Sequence, residues 1–210
     1  MKQIADLQDT DLQTLHRDVQ AEYDAFRARG LALDMTRGKP APEQLDLANG
    51  LLSLPDNRDH HSEDGVDARN YGGLQGLPEV RALFSTMVGA PPERIVVGNN
   101  SSLAIMHDCI TWALLKGVPG APTPWSQGPT PTFLCPVPGY DRHFAICEDF
   151  GIRMLPVPMT GQGPDMDEVE RLVADPTVKG MWCVPKYANP TGEIYSVETV
   201  RRLAAMRTGA

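Results

Sequence analysis

Cysteine is scarce and scattered in this sequence. Cys109, Cys135, Cys147 and Cys183 form no Cys-x-x-Cys pair, which argues against a zinc site or a disulfide framework and for free, buried thiols. No apolar run approaches the ~18 residues that a membrane-crossing helix requires. The opening Met1-Lys2-Gln3-Ile4-Ala5-Asp6 lacks the apolar core of a signal peptide. Basic charge is also short. The 19 Lys+Arg face 27 Asp+Glu, a formal net charge of −8, whereas a general nucleic-acid binder needs a basic face to displace counterions. Gly-Lys-Ser/Thr is absent, which disfavours a nucleoside-triphosphate loop. The only adjacent histidines, His60 and His61, sit in Asp-Asn-Arg-Asp-His-His-Ser-Glu-Asp-Gly. Neighbouring side chains are expected to point apart, so a polar loop is preferred to a metal site. These absences predict a cytoplasmic protein with no metal, no nucleic acid and no membrane partner.

What is present is an ordinary globular composition, 210 residues at 41% hydrophobic, enough to bury a core without staples. Thr10-Asp11-Leu12-Gln13 reads as a capping box, and Leu12, Leu15, Val19, Tyr23 and Phe26 then recur at helical spacing up to Gly30. This is an amphipathic helix suited to an edge or a subunit contact. A second helix runs from Pro78 through Val80, Leu83, Phe84 and Met87 to a stop at Gly89. Arg94–Val97 reads as a short strand, followed by Gly98-Asn99-Asn100-Ser101-Ser102 and a helix from Leu103. Strand, polar turn and helix offer free backbone N–H groups and a positive helix end to an anion. A plain helix cap explains the same residues equally well. Beyond a Pro/Gly-rich excursion from Gly117 to Thr132, strands at 133–135, 153–157 and 181–184 alternate with helices around 144–150, 166–173 and 196–206. That alternation predicts an α/β domain with a largely parallel sheet. Its ligand would lie beyond the carboxyl ends of the strands, where the turns after Val97, Cys135 and Val184 are expected to converge.

After the last predicted strand comes Pro185-Lys186-Tyr187-Ala188-Asn189-Pro190-Thr191-Gly192. Asn-Pro-Thr-Gly in that place resembles the signature of class I aminotransferases, pyridoxal-phosphate enzymes of fold type I. Tyr71-Gly72-Gly73-Leu74-Gln75-Gly76-Leu77-Pro78, the 98–102 turn and Pro138-Gly139-Tyr140 match further landmarks in the same order. Thr36-Arg37-Gly38-Lys39-Pro40 with Glu43–Leu47 is similar to a bacterial aspartate aminotransferase subgroup. The resemblance implies that Asn189 donates to the phenolic oxygen of the cofactor ring. It implies that Asn100, Ser101 and Ser102 hold the phosphate, and that Tyr71 reaches the phosphate of a neighbouring subunit in a homodimer. Gly38 would approach the substrate α-carboxylate, with Arg37 and Lys39 either beside a dicarboxylate side chain or serving equally well as plain surface charges. It also implies a small-domain arm over residues 1–50 and the first part of the large cofactor domain over 51–210.

Two departures qualify that picture. Where the family stacks an aromatic ring on the cofactor, this sequence has Val137, so the stacking role is expected to pass to Tyr140 or to be replaced by an aliphatic contact. The family's Schiff-base lysine, its pyridine-nitrogen aspartate and its main carboxylate-binding arginine all come after Asn-Pro-Thr-Gly. None of the five lysines here (Lys2, Lys39, Lys116, Lys179, Lys186) has that context, and the expected catalytic lysine lies beyond Ala210. The chain therefore reads as the N-terminal half of an enzyme that transfers amino groups between aspartate, or a similar dicarboxylate, and a 2-oxo acid. The alternatives are a catalytically inert truncated chain or a fold-type-I lyase.

Overall fold

A computed structural model describes residues 4, 7–32 and 38–209. These fall into two compact units, one within Met1–His61 and Asp67–Asn70, the other within Ser62–Val66 and Tyr71–Ala210.

The first unit holds α1 (Asp9–Ala28) and the short α2 (Pro42–Asp46). The predicted Thr10 cap is corrected: the helix starts at Asp9 behind Gln8, with no side-chain cap. Asp9 and Asp11 in its first turn and Arg27 in its last suit the helix dipole instead. The apolar stripe is where the spacing places it, and Val19, Tyr23 and Phe26 on it are 54–62% exposed. That stripe has no cover within the described unit.

The second unit is built on three parallel strands in the order β2-β1-β3: β1 (Thr132–Val137), β2 (Arg153–Pro158) and β3 (Val178–Met181). Between and around them run α3 (Pro78–Val88), α4 (Ser102–Lys116), α5 (Asp141–Asp149), α6 (Met166–Leu172) and α7 (Val197–Ala205). Side chains alternate across a strand, and in β1 this alternation feeds two separate clusters. Phe133 and Cys135 point into a cluster with Ile110 of α4 and Ile146 and Cys147 of α5. Leu134 points the other way, among Val157, Met166, Val169 and Val178, with Leu203 of α7 at the margin. The central strand is thus buried on both faces, the condition under which a parallel strand reads as an unbroken apolar run.

Local signals set the helix ends. Pro78 opens α3, and Gly89 closes it in the left-handed conformation at φ 69°. Asp165 caps α6 by accepting from the N–H groups of Asp167 and Glu168 at 3.0 and 3.2 Å. Ser196 caps α7 through Thr199 N–H at 3.1 Å. Arg202 then ties α7 to α6 through Glu170 and Asp167 at 2.8 and 2.6 Å.

Two predicted strands are corrected. Residues 94–97 form no strand; Val97 N–H bonds instead to the Gln75 carbonyl at 3.0 Å. The last strand lies at Val178–Met181 rather than 181–184, and the ladder reaches only one bond further, from Trp182 N–H to Leu134 O at 3.2 Å. Among the described residues no helix is long and apolar enough to cross a membrane.

Candidate functional site

At the carboxyl end of β1 the chain turns sharply through Pro138 and Gly139 into α5. A side chain at Gly139 would collide with the Pro136 carbonyl and lie 2.8 Å from Phe144 Cζ, so the turn closes only around a bare α-carbon. Tyr140 stands at the N-cap of α5. One turn on, the helix carries His143 inward, where it is 7% exposed.

His143 stacks on Trp182, which comes directly after β3, with ring centroids 4.7 Å apart and planes 16° from parallel. Tyr140 meets the imidazole edge-on at 5.1 Å. Trp182 is fixed from behind, its Nε1–H donating to Cys147 Sγ at 3.2 Å. The neighbouring Cys135 thiol, and then the hydrogen bond from Trp182, draw the Cys147 thiol below its ordinary value against burial. Cys135, whose Sγ–H donates to the Phe133 carbonyl at 3.8 Å, is raised by its pairing with Cys147 and by burial. Burial also holds the His143 pKa below the usual imidazole value, so the ring in the stack is neutral at pH 7.

A further side of the cleft comes from the turn after β3. Tyr187 takes a left-handed φ of 55°, a conformation that a bulky residue adopts only when its surroundings impose it. The loop is closed by Ala188 N–H to Glu193 O and Tyr195 N–H to Pro185 O, both at 2.9 Å. Gly192 permits the reversal at φ 75°. Tyr195 is buried beneath this loop, and desolvation pushes its hydroxyl up to about 12. Asn189 is thereby presented at the surface of the cleft, and its side-chain amide makes no hydrogen bond among the described residues.

Tyr140, His143, Trp182, Ala188, Asn189 and Tyr195 line one cleft, whose enclosed part measures about 20 Å³. That is room for about one water, too little to enclose a ring-sized ligand. Two of the turns expected to converge do so, those after Cys135 and Val184. The turn after Val97 does not line the cleft.

That third turn opens α4. Ser101 is the N-cap, its Oγ accepting from Ala104 N–H at 3.3 Å, and its own N–H is held by Asn99 Oδ1 at 2.7 Å. Asn100 and Ser102 are exposed and make no side-chain hydrogen bond among the described residues. The cap reading is therefore realised by Ser101, and the neighbouring donors stay available for an anion. Tyr71 is fully exposed. Gly38 is exposed in the first unit, with open space around its α-carbon, and Arg37 lies outside the described residues. Val137, at the position where the family carries an aromatic ring, is 36% exposed. Sequence reasoning missed His143 and Trp182; the one signal was an aromatic within the apolar run Met181–Val184.

The family model for aspartate aminotransferases matches residues 7–210. The chain belongs to the aspartate aminotransferase family. It is 47% identical to an aspartate aminotransferase of Corynebacterium glutamicum, over 97% of this chain and 48% of that protein. A Mycolicibacterium smegmatis relative, whose name gives an aminotransferase without a substrate, is 56% identical over 95% of this chain and 47% of its own length. The crystal structure of an aspartate transaminase from C. glutamicum superposes with a TM-score of 0.88 at 45% identity, covering all of this chain and 49% of that one. The three-layer unit is thus part of a fold type I domain, and the chain spans about half the length of these curated relatives.

Proposed function

We propose that this chain contributes the N-terminal half of the active site of a pyridoxal-phosphate aminotransferase that exchanges an amino group between aspartate, or a similar dicarboxylate, and a 2-oxo acid. One observation carries the proposal. An uncommitted amide on Asn189, a neutral imidazole and an indole face meet beyond the carboxyl ends of β1 and β3. The donor chemistry suits a phosphorylated, hydroxylated heteroaromatic ring. Asn189 offers a neutral donor for a phenolate oxygen. Tyr140 and Trp182 offer ring surfaces, with Tyr140 in the stacking role that Val137 cannot fill. Asn100, Ser101 and Ser102, at the positive end of a 15-residue helix, offer hydroxyl, amide and backbone donors for a phosphate.

When bound, pyridoxal phosphate supplies the electron sink for cleavage of a bond to the amino acid α-carbon. This chain's residues do the holding. Asn189 orients the ring through its phenolic oxygen, and the donors at the start of α4 anchor the phosphate. The His143–Trp182 stack keeps the floor of the cleft nearly dry. Gly38 and Arg37 belong to substrate recognition, with residues 1–50 forming an arm and 51–210 a cofactor domain. Tyr71 serves the neighbouring subunit's phosphate in a homodimer. The Schiff-base lysine and the proton transfers that it performs belong to the remainder of the enzyme.

The test is amino transfer by the complete protein, this chain continued to the length of its relatives. Aspartate with a 2-oxo acid acceptor is expected to give oxaloacetate, with strict dependence on the acceptor. Product formed from aspartate over many turnovers without any acceptor, beyond the one equivalent per site that the first half of an exchange releases, would overturn the reading in favour of a lyase.

A further inference from the structure

His60 and His61 do not point apart. Their ring centroids lie 4.4 Å from each other, tilted by 44°. The chain then doubles back so that His61 and Asp67 pair across an antiparallel bridge, reinforced by Ala68 N–H to His60 O at 2.7 Å. The bridge sets His61 Nε2 4.0 Å from Asp67 Oδ2. One ligand atom from each of His60, His61 and Asp67 lies within 4.8 Å of the others. We infer that these three residues form a surface site for a divalent transition-metal ion, separate from the cleft.

The surroundings have the features such a site requires. His60 Nδ1 is 3.0 Å from the Asp56 carbonyl. A carbonyl only accepts, so Nδ1 carries the proton and Nε2 keeps its lone pair, the outer-shell arrangement usual for a metal-bound histidine. Two imidazoles and a carboxylate are a nitrogen-rich set that suits zinc, nickel or copper rather than magnesium or calcium. Arg69 binds the Asp67 carboxylate through its Nε and a terminal nitrogen at 2.9 and 2.7 Å. Arg69 therefore competes with the ion for the carboxylate. Arg69 is 62% exposed and can swing into solvent. Ligand atoms as far apart as 4.8 Å stand wider than bonds of about 2.0–2.2 Å allow, so the ion draws them inward by rotation of the exposed His61 and the half-buried His60 and Asp67 side chains.

The prediction is read by titrating the 210-residue chain with Zn2+ against a chromophoric chelator, and with Co2+ by visible absorption. One equivalent of Zn2+ is expected. His60→Gln and His61→Gln should each weaken it by about tenfold or more, a loss at least as large as removal of an outer-shell partner. Arg69→Gln should tighten it by freeing Asp67. His107→Gln, which alters the other histidine flanked by carboxylates, Asp108 and Asp149, should change nothing. The Co2+ spectrum should lack a thiolate charge-transfer band. The inference is overturned by the absence of stoichiometric binding, by binding that survives both histidine changes, or by ligation through His107 or a cysteine.

Discussion

Replacing Gly139 by alanine tests whether the turn beyond β1 is built around a missing side chain. The new methyl group would collide with the Pro136 carbonyl and lie 2.8 Å from Phe144 Cζ, and neither neighbour yields easily. Pro136 sits in the buried central strand in register with Val157, and Phe144 packs against the cluster of Phe133, Cys135 and Ile146. The turn itself has to move, at a cost of about 1–3 kcal/mol, the range for forcing one extra carbon into a packed interior. With a urea dependence of about 2 kcal/mol per molar, the unfolding midpoint should fall by roughly 0.5–1.5 M. Tryptophan fluorescence reports it, since Trp182 stands in the affected cleft. Gly128→Ala is the matched control, because its φ of −106° suits any residue and its nearest contact is the Trp125 carbonyl at 3.8 Å. A Gly139→Ala midpoint indistinguishable from that of Gly128→Ala would refute the steric argument, and with it the claim that this glycine fixes where Tyr140 stands.

The structure predicts three further outcomes. Because His143 is buried neutral, the folded state takes up a proton less readily than the unfolded chain. Stability is therefore full above the ordinary pKa of 6.5 and declines as pH drops below it; in urea melts across pH 5–8, His143→Gln should flatten that slope. Leu134→Ala, which empties a position with no solvent exposure between β1 and α6, should cost about 2–5 kcal/mol by the same melts. Asp165→Ala strips two N–H groups of their acceptor at the start of α6 and should cost about 0.5–2 kcal/mol, with amide exchange rising first at Asp167 and Glu168.

The parts legible in the sequence are those governed by neighbours along the chain. Pro78 and Gly89 bracket α3, Ser196 caps α7, and the alternation of strands and helices from residue 132 onward comes from period and punctuation. Tertiary pairing decides the rest. Ile95, Val96 and Val97 have strong strand propensity, but propensity does not supply a ladder partner; Val97 N–H goes to Gln75, beside the bare α-carbon of Gly76. The apolar run Met181–Val184 has the composition of a buried strand, yet pairing is centred on the less apolar Val178–Met181. There Gly180 leaves space for the Phe133 ring, which a side chain would meet at 2.5 Å. In the cleft, Asn189 and Tyr140 are readable because they sit in short motifs. The His143–Trp182 stack is not, since it joins a helix to the end of a strand and neither residue marks the contact locally. The histidine pair at 60 and 61 is hidden for the same reason, because the backbone bridge that gathers it with Asp67 is invisible to a reading of adjacent side chains.

The central claim is that Asn189, at the mouth of the cleft, is a ring-orienting ligand for pyridoxal phosphate. Equilibrium binding of the cofactor to the complete protein, unaltered and as Asn189→Ala, tests it most directly. Loss of a hydrogen bond to a charged oxygen is worth about 1.5–3 kcal/mol, so the alanine variant should bind roughly 10–150-fold more weakly, with its unfolding midpoint in the absence of cofactor unchanged. Equal affinity in the two proteins would contradict the account.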